Sequence, residues 1–409
     1  MRREDKSMKR EGILEKQGKT IMKSKYIWCV ILLTAMYAAC KKPYNPPVIS
    51  SNNNYLVVEG VINTGNDSTI FKLTRTVNIA DAVSTAGVDN CEVTVESEAG
   101  NSFTLLQIGS GKYAIGAMNL DPSKKYRLHI KTPDGKEYAS DYTANKPTLP
   151  IDSIGFIPQG NSLRLYVNTH DATNNSRYYR WDFAETWRFH SKFLTEYIVD
   201  PDSNKLRERT GAEQVFYCFA SDASSNILIG SSAKLGQDVI YQAPLITIPA
   251  ESEKIELRYS ILVRQYTLTK EAYAFWENIK KNTEQLGSIF DAQPSQLMGN
   301  IHSLSNPAEP VIGYISVTNV QSKRIFIDNS QLPQTWSPVY PFQCTADSAL
   351  FKNQQGVDDV EINIIKGGAY ALAQIESRRA VLGYTFTSSS CADCTVRGRV
   401  QQPAFWKEK

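Results

Sequence analysis

The residues of this chain whose types and spacing could do chemistry are few: five cysteines, four histidines and two short turn-like runs. Cys91, Cys218, Cys344, Cys391 and Cys394 stand apart from Cys29 and Cys40, which lie in or beside an N-terminal apolar stretch. Cys391-Ala392-Asp393-Cys394 has the spacing of a local bridge, a redox pair or half of a zinc knuckle. Zinc needs four converging ligands and there is no second close pair, while a redox pair needs a thioredoxin-like βαβ pattern that is missing here. The expectation is a disulfide between Cys391 and Cys394 and no metal, with the pairing of Cys91, Cys218 and Cys344 left open.

His129, His170, His190 and His302 are the only histidines, and none stands at i, i+4 from another ligand, so each is expected in solvent or in the core. Gly109-Ser110-Gly111-Lys112 ends like a phosphate loop, but Leu106 holds the place of the leading Gly and a strand follows. It reads as a hairpin turn. Asp200-Pro201-Asp202-Ser203-Asn204 alternates oxygen ligands like a calcium loop, yet Lys205 replaces the turning Gly and Gly211 the closing Glu, so a plain turn is expected. No Gly-x-Ser-x-Gly elbow occurs, and a carboxylate pair for glycoside hydrolysis cannot be nominated without geometry. No catalytic residue and no cofactor are assigned.

The formal charge of the chain is +3, from 45 basic and 42 acidic residues. Residues 1–39 carry nine of the basic and four of the acidic ones, which leaves 36 and 38, a net charge of −2. Nucleic-acid binding needs a basic face to neutralise phosphates, and none survives this division. Met22-Lys23-Ser24-Lys25 precedes a mostly apolar run of 14 residues, Tyr26 to Ala39. That is the layout of a secretion signal, and it is short of the roughly 20 apolar residues that a spanning helix takes. Tyr37-Ala38-Ala39-Cys40 resembles the bacterial lipobox, with Tyr37 where Leu is usual. Residues 1–39 are therefore expected to be a leader and lipoprotein signal peptide with its start at Met22, and Cys40 the lipidated residue that holds the chain to a membrane. Residues 40–54, polar and proline-bearing, read as a tether reaching on the order of 45 Å when extended.

Positioning is left to the rest of the chain, whose 42% apolar and 21% charged residues are ordinary globular composition. Runs at 55–62, 69–77, 92–97, 102–108, 112–117, 127–132 and 137–142 alternate in polarity and are separated by Gly65-Asn66-Asp67, Ala99-Gly100-Asn101 and Asp134-Gly135. They predict a β-sandwich over 55–146, immunoglobulin-like or transthyretin-like. Pro147-Thr148-Leu149-Pro150 marks a boundary. A larger β-rich domain is expected over 151–409, with strands at 162–169, 178–193, 215–220, 239–241 and 254–265. In the second of these, Tyr179, Trp181, Phe183, Trp187 and Phe189 share one face, and Arg180, Asp182, Thr186, Arg188 and His190 the other. One prominent helix is expected at about 270–286, capped by Thr269 and stapled by Leu268 onto Tyr273. The fold class is thus mainly β.

Arg258-Tyr259-Ser260-Ile261-Leu262-Val263-Arg264-Gln265-Tyr266-Thr267-Leu268, with Ala272-Tyr273-Ala274-Phe275-Trp276-Glu277-Asn278, resembles a family of Bacteroidota lipoproteins that carry a domain of unknown function. The resemblance continues in Gly287-Ser288-Ile289-Phe290-Asp291-Ala292-Gln293-Pro294, Gly299-Asn300-Ile301, Gly313-Tyr314 and Arg324-Ile325-Phe326-Ile327. It includes Leu56-Val57-Val58-Glu59-Gly60 and, at the end, Cys391-x-x-Cys394 with Pro403-Ala404-Phe405-Trp406. Members are typically encoded beside TonB-dependent outer-membrane receptors, which implies an accessory role in uptake, with such a receptor and a small ligand or glycan as partners. The resemblance brings no catalytic residue. Lys41-Lys42 stand where surface-displayed lipoproteins of that group carry acidic residues, so outer-membrane attachment is expected without a choice of face. An envelope-structural or adhesive lipoprotein is the alternative, and a glycan- or peptide-active hydrolase a third.

Overall fold

The structure is a computed structural model and describes residues 54–77, 87–284, 299–378 and 380–407. The expected signal peptide, Cys40, the tether up to Asn53, the helix end at 285–286 and the Gly287–Pro294 run lie outside the described residues. Residues 54–409 form one compact unit, mainly β.

Alternation builds the first layer pair. β1 (Leu56–Gly60), β3 (Thr69–Arg75), β6 (Lys112–Ile115), β5 (Ser102–Gly109), β4 (Glu92–Ser97), β7 (Lys125–Lys131) and β8 (Glu137–Ser140) lie side by side in that order, with β9 (Thr143–Ala144) on β7. β5 is the corner. Its first half pairs with β4 (Leu105 opposite Val93) and its second half with β6 (Leu106 opposite Ala114), so one strand passes between two layers. Phe71, Val93, Tyr113, Leu128, Ile130 and Tyr138 fill the space between, all nearly unexposed. Gly109-Ser110-Gly111-Lys112 forms the β5–β6 hairpin. Gly111 has φ +62°, and a Cβ there would stand 2.3 Å from the Leu73 carbonyl oxygen, which leaves room for glycine alone.

This sandwich is completed from far along the chain. β19 (Ile301–Ser303) adds to the edge of β8, β20 (Val317–Thr318) runs parallel to β2 (Ile62–Asn63), and Ile301, Val311, Ile315 and Val317 join the same core. Residues 301–318, which the sequence assigns to a second domain starting at 151, thus belong to the first sandwich, because the open edges of β8 and β2 take them up.

The second sandwich packs a five-stranded sheet on a three-stranded one. The larger has the order β15 (Tyr217–Ala223), β12 (Tyr178–His190), β18 (Arg258–Thr267), β21 (Gln321–Asp328), with β16 (Leu228–Ser231) also on β12. The smaller is β10 (Ser153–Gln159), β11 (Ser162–Asp171) and β17 (Asp238–Pro249). Tyr179, Trp181, Phe183, Trp187 and Phe189 of β12 meet Leu163, Leu165 and Val167 of β11 in one core. The face expected from period 2 is the buried one.

The helix Lys270–Glu284 begins where expected: the Ala272 amide donates to Thr269 Oγ1 at 3.2 Å, and Leu268 shares a small cluster with Tyr273. Ala272 and Phe275 are its buried residues, while Trp276 packs at 4.2 Å under the Arg180 guanidinium. A third, smaller module holds the hairpin β13 (Tyr197–Val199) and β14 (Leu206–Glu208) against β22 (Asp347–Leu350), β24 (Ala380–Thr387) and β23 (Tyr370–Ser377).

Candidate functional site

Between the first two sandwiches, the proline-bearing linker and the loop after β11 wall a cavity of about 640 Å³. The linker gives Lys146, Pro147, Leu149 and Pro150; the loop gives Thr173 and Asn175. The loop is fixed by Asp171, which is 4% exposed. Burial alone would raise the pKa of that carboxyl, but hydrogen bonds from the Thr173 hydroxyl and amide, the Ser176 hydroxyl and the Asn175 amide prevail and lower it to about 2. His170 stands on the cavity wall with Nδ1 at 2.8 Å from Asp152 Oδ2. A carboxylate only accepts, so Nδ1 carries the proton and Nε2 is left for other partners. The same hydrogen bond and charge raise the pKa of the imidazole. Among the described residues no hydroxyl or thiol is recorded on Nε2, so the pair has the orienting half of a nucleophilic triad without the nucleophile.

A second cleft, about 420 Å³, opens at the mouth of the second sandwich between Phe183, Asp222, Ser224, Pro244, Thr247 and Lys254. Its floor holds Glu185, 1% exposed on the aromatic face of β12. An ionised carboxylate in such a place is costly unless paired. Lys254 Nζ lies 2.7 Å from Oε1 and the Tyr259 hydroxyl donates to Oε2 at 2.5 Å, with Asp222 3.4 Å from the same ammonium. Burial, then the Glu185 charge, pushes the Tyr259 phenol far up, so it stays a donor. Two carboxylates therefore meet at one cleft, as a glycosidase would need, but Lys254 clamps both. The sequence reading passed over Glu185 because its neighbours at i±2 are aromatic. Its face could be inferred from period 2, its partners could not.

The histidines share a pattern that spacing concealed. His190 Nε2 is 3.1 Å from Glu256 Oε1, His302 Nε2 3.1 Å from Asp141 Oδ1, and His129 stands 3.8 Å from Glu96 and 3.7 Å from Glu137. Each of the four thus faces a carboxylate. Tyr340 donates to Glu256 at 2.7 Å and Phe216 stacks on the His190 ring at 4.8 Å, which closes that pair off as a packed cluster. The Asp200 run is the plain turn expected: Asp200 Oδ1 accepts from the Asp202 and Ser203 amides.

The cysteines correct the sequence reading. Cys391 and Cys394 are not bonded to each other: Cys394 pairs with Cys218 and Cys391 with Cys344, each with Cα atoms 5.6 Å apart. Asp393 between them is extended, at φ −118° and ψ 105°, and ends the short helix Ser389–Ala392 before the turn Cys394–Val396 begins. Neighbours in sequence are thereby handed to different partners, Cys218 in β15 and Cys344 in the segment before β22. Among the described residues Cys91 is the cysteine outside a disulfide; it is half-buried, and burial raises its pKa.

A family model described as a domain of unknown function, DUF4249, matches residues 41–324, well over half of the 409 residues. The chain belongs to the DUF4249 family. No curated protein matches it. The DUF4249 segment contains the first sandwich, the second except for the end of β21, the linker cavity with His170 and Asp152, and the Glu185 cleft. It stops inside β21, so Cys344 lies beyond the matched segment, as do Cys391-x-x-Cys394 and the Pro403-Ala404-Phe405-Trp406 run that carry the end of the resemblance.

Proposed function

We propose that this DUF4249 protein is an exported lipoprotein of the outer membrane, attached through lipid on Cys40, whose two sandwiches are a non-catalytic binding scaffold working beside a TonB-dependent receptor. The observation that carries the export reading is the pair of long-range disulfides, which close sequence separations of 176 and 47 residues. Structural bridges of that kind belong to oxidising compartments. The family match begins at Lys41, directly after the cysteine that the signal-like segment presents, which supports the same boundary.

The non-catalytic reading is supported by the state of the polar groups: Glu185 and Asp222 are held by Lys254, and Glu256 by His190 and Tyr340. A group that is already satisfied has little left to give a reacting bond. The anchor is tested by labelling cells with a clickable palmitate analogue: the chain is expected to take the label and Cys40→Ala to lose it, and label on the variant would refute the assignment. The partnership is tested by purifying the tagged chain from detergent-solubilised outer membrane, where a TonB-dependent receptor is expected to accompany it. Purification without any receptor favours the envelope-structural or adhesive reading. Protease shaving of intact cells tells the two faces of the membrane apart.

A further inference from the structure

We propose that a groove on the outer face of the second sandwich, walled by Phe216, Tyr217 and Phe219, is a binding site for a neutral saccharide. Its volume is about 480 Å³, within the range of small-ligand sites. Leu194, Glu196 and Gln214 come from the excursion that carries β13 and β14, and Val400 and Gln402 from the C-terminal segment. The walls are held in place: Phe219 and Arg399 exchange main-chain hydrogen bonds at 2.8 and 3.0 Å, Trp406 packs edge-on at 4.9 Å from the Phe219 ring, and Cys218 between the two aromatic residues is bridged to Cys394. Such a site needs little ordering when a ligand arrives.

Tyr217 carries the argument. The Arg188 guanidinium lies 4.7 Å from its ring centroid, yet the residue keeps 45% of its surface exposed. Phe216, with one face stacked on His190, meets it at 75° and 4.7 Å, so the two rings wall the groove nearly at right angles and Tyr217 is the exposed one. The negative face of an aromatic ring attracts the polarised C–H groups of a pyranose, which presents them on one side and hydroxyls around its rim. Those hydroxyls need acceptors and donors side by side, and Glu196, Gln214 and Gln402 supply both. Gln214 Oε1 is buried with no hydrogen-bond partner among the described residues, an acceptor that a sugar hydroxyl would satisfy once the side chain turns toward the groove it lines. Arg188 and Glu196 bring opposite charges to the same groove, which disfavours a strongly charged ligand.

The assignment rests on the reading of the chain as a binding protein, but it is tested without the anchor, on the full chain bearing Cys40→Ala in solution. Maltose, cellobiose, lactose and diacetylchitobiose would be titrated by calorimetry. At least one is expected to bind with a Kd below about 1 mM, a binding free energy of roughly 4 kcal/mol. Tyr217→Ala should weaken that sugar about tenfold, Tyr217→Phe should leave it within about twofold, and Gln214→Leu should weaken it about three- to tenfold. Circular dichroism checks that each variant is folded; should Tyr217→Ala fail that check, Gln214→Leu and Tyr217→Phe decide. No heat with any of the four sugars overturns the proposal, as does sugar binding that folded Tyr217→Ala or Gln214→Leu leaves unchanged. A failed titration leaves palmitate labelling and receptor co-purification untouched, so the two readings fall separately.

Discussion

The first sandwich gathers nineteen buried apolar side chains into its core, whereas the small third module gathers six, Tyr197 among them, and is flanked by two disulfides, Cys344–Cys391 and the Cys218–Cys394 bridge in the core of the second sandwich. A core of the first size offsets chain entropy by burial of apolar surface, and its edge is extended by β19 of a returning segment rather than by a covalent bond. A core of the second size does not, and covalent closure acts instead by limiting the unfolded chain. The family match covers the first sandwich entirely but only part of the smaller module, taking in β13 and β14 and ending before β22, β23 and β24. The difference teaches where covalent closure should matter: the first sandwich is expected to keep its fold when the bridges are reduced, and the smaller module to lose its own.

The strongest way to break that contrast is to remove both bridges. Cys218→Ser with Cys344→Ser should cost about 2–5 kcal/mol for each bridge, with the 176-residue closure contributing more than the 47-residue one. Hydrogen exchange read by mass spectrometry should show β22, β23 and β24 losing protection while β4 and β7 keep theirs; equal loss in both would abolish the distinction. Next comes Lys254→Met, which strands the buried Glu185 charge. The cost should fall toward the lower end of about 3–5 kcal/mol, since the Lys254 side chain keeps 22% exposure. Adding Glu185→Gln should recover part of the lost thermal stability, and no recovery would mean that Lys254 acts through packing on Trp187.

A gentler probe is Ile315→Val, at a residue of the returning segment that is 0% exposed, expected to lower stability by about 0.5–1.5 kcal/mol. Chemical denaturation of wild type and variant measures it, and an unchanged midpoint would remove that segment from the first core. The smallest effect is at His170. Its raised pKa means that its pairing with Asp152 contributes fully below the unfolded pKa and is lost as pH rises through the folded one. NMR titration should place the His170 midpoint above that of Asp152→Asn, and identical midpoints would show that the carboxylate does not act on the ring.

Much of this architecture is legible in the residues. The expected 92–97 strand is β4, 102–108 differs from β5 by one residue, and 178–193 extends β12 by three. Side-chain alternation and turn residues are local properties, so local reading recovers them. Thr269 and Leu268 foretold the start of the helix for the same reason. The pieces that escaped are those whose reason lies elsewhere in the chain. β19 and β20 have three and two residues, too few for any period, and exist because β8 and β2 offer open edges. Glu185 hides in an aromatic run, and its carboxylate is made tolerable by Lys254 and Tyr259, 69 and 74 residues away.

The sequence by itself determined the mainly β class, the inward and outward faces of β12 and β18, and the helix cap, because each follows from neighbours within a few positions. It also carried the signal-like segment ending at Cys40, on which the proposed anchoring rests. Only the tertiary structure decided the cysteine pairing, the carboxylate beside each histidine, the clamp on Glu185 and the aromatic groove at Tyr217. Those depend on which distant strands become neighbours, and backbone register and packing across the whole fold set that, not spacing along the chain.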